Sequence, residues 1–145
     1  MITEDYVSFE VAKLLKDKGF NEACNRVYEG PNLIYTDIPI SPLMYLGELK
    51  GELGGFHPKQ KYIHNNELGD IVYTAPTFQM ARKWLREKYN IHIEVVHLNP
   101  YKHTYYLYRY YSCQSERYVQ NTNPEYSTYE KACEAAIKYC LENLI

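Results

Sequence analysis

The sequence predicts an α+β fold, with helices packed on one face of a small antiparallel sheet. Three observations predict it. Apolar residues recur at helical spacing in three separate stretches. Alternating apolar and polar runs fill the interval between the second and third of these. The run Tyr105-Tyr106-Leu107-Tyr108-Arg109-Tyr110-Tyr111 carries the aromatic content that suits a pleated, half-buried surface. Period 3.6 marks amphipathic helix, period 2 marks strand, and the two together imply helices layered on a sheet. The expected order is helix, loop with short strands, helix, two or three strands, helix.

The first helix starts near Ser8 or Thr3 as cap. Its stripe is Val7, Val11, Leu14 and Leu15, and Lys16-Asp17-Lys18-Gly19 ends it with cations and a terminal glycine. A short strand follows near Leu33-Ile34-Tyr35. From Thr36 to Ala75 there is little periodicity, and prolines and glycines punctuate the stretch. Leu43, Met44, Leu46, Leu49, Leu53 and Phe56 suit an apolar arm held by packing or by a second subunit; a hairpin fits equally.

The next helix runs from Thr77, as cap, to Tyr89, with Phe78, Ala81, Trp84, Leu85 and Tyr89 inward and Asn90 as its stop. Ile91 to Leu98 reads as a strand, Asn99-Pro100 turns, and Thr104 to Cys113 returns. Arg117 to Gln120 is a third strand. Ser127-x-x-Glu130 reads as a capping box for a last helix whose stripe is Tyr129, Cys133, Ala136, Ile137, Cys140 and Leu144.

With 145 residues, 46% apolar and 23% charged, the chain fits a single domain spanning 1–145. All seven glycines precede residue 70, so a loop-rich front half (1–75) is set against a regular back half (76–145) of helix, hairpin and helix. Net charge is −2: residues 1–75 carry −4 and residues 76–145 carry +2. A phosphate-gripping protein usually shows a basic excess, and composition shows none here. No run approaches the roughly 18–20 apolar residues of a membrane span. The acidic start Met1-Ile2-Thr3-Glu4-Asp5 is unlike a signal peptide, and four cysteines without CxxC spacing read as reduced thiols. The expectation is a cytoplasmic protein with no membrane partner.

Candidate chemistry is sparse. His92 and His97 lie five apart on one strand and point to opposite faces, so they do not chelate one ion. His57 and His64 sit in loop sequence near Asp70, short of a metal set. Cys133 and Cys140 lie on an apolar stripe, and Cys113 ends a strand without a partnered base. Gly47 to Gly55 lacks the Gly-Lys-Ser/Thr or GxGxxG pattern of a phosphate cradle. No catalytic set, metal or cofactor is expected, and the protein is not read as an enzyme.

The tyrosine strand carries the strongest signal. Seven of seventeen tyrosines fall between Tyr101 and Tyr118. Alternation sets Tyr106, Tyr108 and Tyr110 against Tyr105, Leu107, Arg109 and Tyr111. A charge resists burial more than a leucine demands it, so Tyr106, Tyr108 and Tyr110 are placed inward. Tyr105, Arg109, Tyr111, His92 and Glu94 then form an outer face, either covered by the front half of the chain or offered to a partner.

Two resemblances extend this reading. Val7-Ser8-Phe9-Glu10-Val11-Ala12-Lys13-Leu14-Leu15-Lys16 with Gly19-Phe20 resembles a family of small uncharacterised proteins from gut anaerobes of the Bacteroides kind and their phages and prophages. So do Ala75-Pro76-Thr77-Phe78-Gln79-Met80-Ala81 with Trp84-Leu85-Arg86, Ile91-His92-Ile93, and Tyr129-Glu130-Lys131-Ala132 with Ala135-Ala136-Ile137. The resemblance implies a phage or mobile-element origin and no activity. In topology alone, helix, strands and helix over 77–144 is similar to the double-stranded RNA-binding domain. That family places a lysine-rich cluster where this chain has Ser127-Thr128-Tyr129-Glu130-Lys131, and the departure removes the phosphate grip. The expected function is therefore protein–protein contact, with a protein partner or a second copy of the chain. The alternative is a nucleic-acid-binding accessory protein that stacks bases on the same tyrosines, with Arg82, Lys83, Arg86, Lys102, Arg109 and Arg117 as phosphate partners.

Overall fold

The computed structural model describes residues 1–36, 62–98, 105–112, 116–120 and 126–145. The α+β class holds, with three helices and two three-stranded antiparallel sheets. The apolar arm, Gly47–Gly55, His57, Asn99-Pro100, Lys102 and Cys113 lie outside the described residues. The chain divides into two compact units, one of residues 6–76 and one of residues 1–5 with 77–145.

In the unit of residues 6–76, helix α1 (Phe9–Asp17) begins where Ser8 Oγ accepts a hydrogen bond from the Val11 amide at 3.3 Å. It ends where Gly19 takes a φ of 86°, a conformation glycine adopts without steric cost. Strands β1 (Arg26–Glu29), β2 (Asn32–Tyr35) and β3 (Val72–Thr74) pair in the order β2-β1-β3. Glu29 faces Asn32 across a two-residue turn whose first residue, Gly30, has a φ of 57°. Strands β1 and β3 escape the sequence reading because each is only three or four residues long, too short to establish a period. The expectation of one sheet is corrected to two for the same reason.

One core cluster of this unit is Val27, Ile63, Leu68 and Val72, with Ile34 packed against it, and Val11, Leu15 and Phe20 are buried as well. Phe9 meets the rings of Tyr28 and Tyr73 edge-on at 5.7 and 5.5 Å. Polar side chains tie the irregular chain around this core. Asn65, in a single 3-10 turn over Asn65–Glu67, donates to the Phe20 carbonyl at 2.8 Å and accepts from the Thr74 amide at 2.9 Å. Lys16 donates to the Gly69 and Val72 carbonyls at 2.6 and 2.8 Å, and Tyr28 donates to the Val7 carbonyl at 2.8 Å. His64 Nδ1 lies 2.7 Å from the Asn21 carbonyl, so that nitrogen carries the proton.

In the second unit, helix α2 (Phe78–Tyr89) starts on Thr77, whose hydroxyl accepts from the Met80 amide, and stops at Asn90 in the left-handed region. Strands β4 (His92–Leu98), β5 (Tyr105–Tyr111) and β6 (Tyr118–Gln120) form a meander in that order. Helix α3 (Tyr129–Asn143) packs on β4 and β5, and α2 touches both α3 and β4. Thr128, rather than Ser127, caps α3: its hydroxyl accepts from the Lys131 amide at 3.1 Å, while Ser127 receives the Lys131 ammonium. Two adjacent hydroxyl residues made the register ambiguous by one. Ala132 and Leu141 join the expected stripe, whereas Tyr129 is 40% exposed. Among the described residues, no helix is long and apolar enough to cross a membrane.

Candidate protein-contact face

The meander has two unlike faces. On the inner one, Tyr108 and Tyr110 are buried and Tyr106 is half-buried, the orientation that alternation predicts. Tyr139 of α3 lies over Tyr108 and Tyr110 at ring separations of 6.4 and 5.4 Å. Tyr126 meets Tyr108 at 6.1 Å, and Tyr129 meets Tyr106 edge-on at 6.3 Å. Burial raises the Tyr108 phenol, and burial with the Tyr139 hydrogen bond pushes Tyr110 up to about 12. Both hydroxyls stay protonated at neutral pH. His97 faces Tyr106 on this side, and His92 faces the other way.

The outer face is built row by row from the strand register. His92 pairs with Tyr111, Glu94 with Arg109, Val96 with Leu107, and Leu98 with Tyr105. Strand β6 extends two rows, setting Gln120 beside Arg109 and Tyr118 beside Tyr111. Arg109 Nε donates to Glu94 Oε2 at 2.6 Å, with the two side chains 40% and 45% exposed. The Arg109 hydrogen bond holds the Glu94 carboxyl below the usual carboxylate range, and the same bond raises the guanidinium. The guanidinium also lies 5.1 Å from the centre of the Tyr118 ring, and Tyr118 is 53% exposed. Rings continue across the next row, with His92 6.1 Å from Tyr111 and Tyr111 5.7 Å from Tyr118. His92 Nε2 sits 2.9 Å from Asn90 Oδ1.

Four of the five residues expected on this face, His92, Glu94, Arg109 and Tyr111, come together there. The fifth, Tyr105, pairs at the end row, and its side chain lies outside the described residues. Sequence reasoning left out Val96, Leu98, Tyr118 and Gln120. Parity counted from Glu94 would have found Val96 and Leu98, but placing Tyr118 and Gln120 needs the β5–β6 register, which depends on the turn between those strands.

Of the cations expected beside the tyrosines, Arg109 lies on this face, Arg117 directly precedes Tyr118 of β6, and Lys102 lies outside the described residues. Arg82, Lys83 and Arg86 line a cleft of about 490 Å³ at the start of α2, with Glu4, Asp5, Tyr129 and Glu130 on its other walls. Arg82 is committed to structure there, donating to the Tyr129 hydroxyl at 2.9 Å and the Ile93 carbonyl at 2.7 Å. Lys83 lies 3.7 Å from Glu87.

Nucleophilic chemistry finds little support among the described thiols. Burial pushes Cys24 and Cys140 up to about 12 and Cys133 up to about 11, which suppresses the reactive thiolate. Among the described residues, no three His, Cys, Asp or Glu side chains gather as metal ligands. Compared with known proteins, the chain matches no family model, no curated protein and no solved structure.

Proposed function

We propose that this chain is a non-enzymatic protein of phage or prophage type that acts through protein–protein contact, using the outer face of the β4–β5–β6 sheet. The phage or prophage setting rests on the sequence motifs alone. One observation carries the contact reading: among the described residues, the cation paired within this face, Arg109, is already matched. Arg109 is bonded to Glu94, and the Arg82, Lys83 and Arg86 group belongs to the helix layer beside Tyr129. A nucleic-acid surface concentrates unmatched positive charge beside its stacking rings. This face instead offers aromatic and aliphatic area around an internally neutralised pair, the composition that suits a protein partner.

Two measurements test the reading. Fluorescence anisotropy with labelled single-stranded DNA, duplex DNA and duplex RNA should show no binding at low salt. Binding that weakens with salt and disappears in Arg109→Ala would replace the contact reading with the nucleic-acid one. A photo-cross-linking residue at position 118 should give protein adducts in cells expressing the chain, while one at position 87 on α2 gives none. Equal yields from both positions, or none from 118, would remove the face from consideration.

A further inference from the structure

We infer that the partner accepted by this face is a second copy of the same chain, packed sheet to sheet about a two-fold axis that runs along the strands between β4 and β5. The inference rests on the contact reading above and adds the identity of the partner. Its basis is self-complementarity across the rows. Such an axis places each β4 residue opposite the β5 residue of its own row in the partner copy. The register then decides what meets what.

In the charged row, Glu94 faces Arg109 of the other copy, and Arg109 faces Glu94. The two internal pairs become a four-membered alternating cluster in which each guanidinium lies near two carboxylates. One row up, Val96 faces Leu107; one row down, His92 faces Tyr111. Thus charge meets opposite charge, aliphatic meets aliphatic and ring meets ring. An axis running across the strands instead would bring Glu94 onto Glu94 and Arg109 onto Arg109, which repel. Two sheets packed this way lie about 10 Å apart with strands near 30° to one another.

Strand spacing limits the strength. The β4–β5 ladder of seven paired positions, four of them outward, measures about 10 Å by 23 Å, and β6 adds a margin. That footprint falls short of the roughly 800 Å² per partner of a stable complex, so the dimer should be weak, with Kd on the order of 100 µM.

Sedimentation equilibrium of the full chain from about 10 µM to about 1 mM, with a charge-swap pair, tests this. Glu94→Arg makes the row all basic, and Arg109→Glu makes it all acidic. Each variant alone should weaken association at least about tenfold. An equimolar mixture should recover it to within about threefold, because only in the mixed pair does an all-basic row face an all-acidic one. Should a charge variant fail to fold, as judged by circular dichroism, the same logic applies one row up. Val96→Lys and Leu107→Glu should each weaken association and restore it when mixed. A monomer at every concentration, a dimer indifferent to these changes, or variants that weaken it without rescue on mixing would each overturn the two-fold pairing. In the monomer case, adducts from position 118 to a different protein leave the contact reading standing and replace only the partner. Absence of both dimer and adducts removes the two together.

Discussion

The two units each hold a three-stranded antiparallel sheet, yet they satisfy their backbones by different means. Among the described residues of 77–145, the backbone is bonded through long regular elements. Helices α2 and α3 and strands β4 and β5 run for seven residues or more, with Arg82 adding a side-chain bond to the Ile93 carbonyl. In residues 6–76 the strands have three or four residues, and long-range side-chain bonds do the joining. Asn65 reaches Phe20 and Thr74, Lys16 reaches Gly69 and Val72, and Tyr28 reaches Val7. A buried backbone group needs a partner in either case. What differs is whether that partner is periodic in sequence.

Substitutions test this contrast, and the chain carries suitable reporters. Its single tryptophan, Trp84, and the buried Cys133 and Cys140 report on residues 77–145, and buried Cys24 reports on residues 6–76. The largest effect is expected from Ile137→Ala, which empties part of the fully buried α3 stripe and should cost about 2–5 kcal/mol, read by Trp84 emission in a denaturant series. Asn65→Ala should come next. It removes the acceptor from the Thr74 amide and the donor from the Phe20 carbonyl, at a cost of about 3 kcal/mol. Native-state alkylation of Cys24 should then speed up about a hundredfold. An unchanged rate would mean that periodic elements hold this unit as they hold the other.

Helix caps should show no such contrast. Ser8→Ala and Thr77→Ala each remove one hydroxyl acceptor and should each cost about 1 kcal/mol in a thermal melt. A cost confined to one helix would show that the units differ in local propensity as well as in long-range ties.

The smallest effect concerns acid. Glu94 has a folded-state pKa lowered from 4.5 by Arg109, so its contribution is present above 4.5 and fades as pH falls through the lowered value. Arg109 stays charged throughout, so self-association should also weaken over that window, as sedimentation in acetate and formate buffers would show. Association that strengthens on acidification would contradict the charged row.

Much of residues 77–145 was legible in sequence because period 3.6 and period 2 each persisted long enough to be counted. Thr77 and Asn90 marked the ends of α2 as expected. The outer face was legible through one charge argument: Glu94 and Arg109 had to share a face, and the remaining parity followed. Less of residues 6–76 was legible. Asn65 looks like any loop asparagine in sequence; it is 4% exposed because two backbone groups far apart in the chain converge on it. A pairing set by three-dimensional closure leaves no short-range pattern. The α3 cap shows a milder form of the problem, since Ser127 and Thr128 offer the same chemistry one residue apart.

The ring stack beneath α3 makes this protein sensitive to base. Tyr110, and with it Tyr108, keeps its phenolic proton in the folded state well above the ordinary value of 10, while an unfolded chain surrenders it there. Above that point the unfolded form binds fewer protons, so stability falls as alkali is added. Ultraviolet absorbance near 295 nm should therefore rise in two stages during a titration, exposed phenols first and the stacked pair only as the sheet and helix come apart. Colour change and collapse would be one event for those two rings.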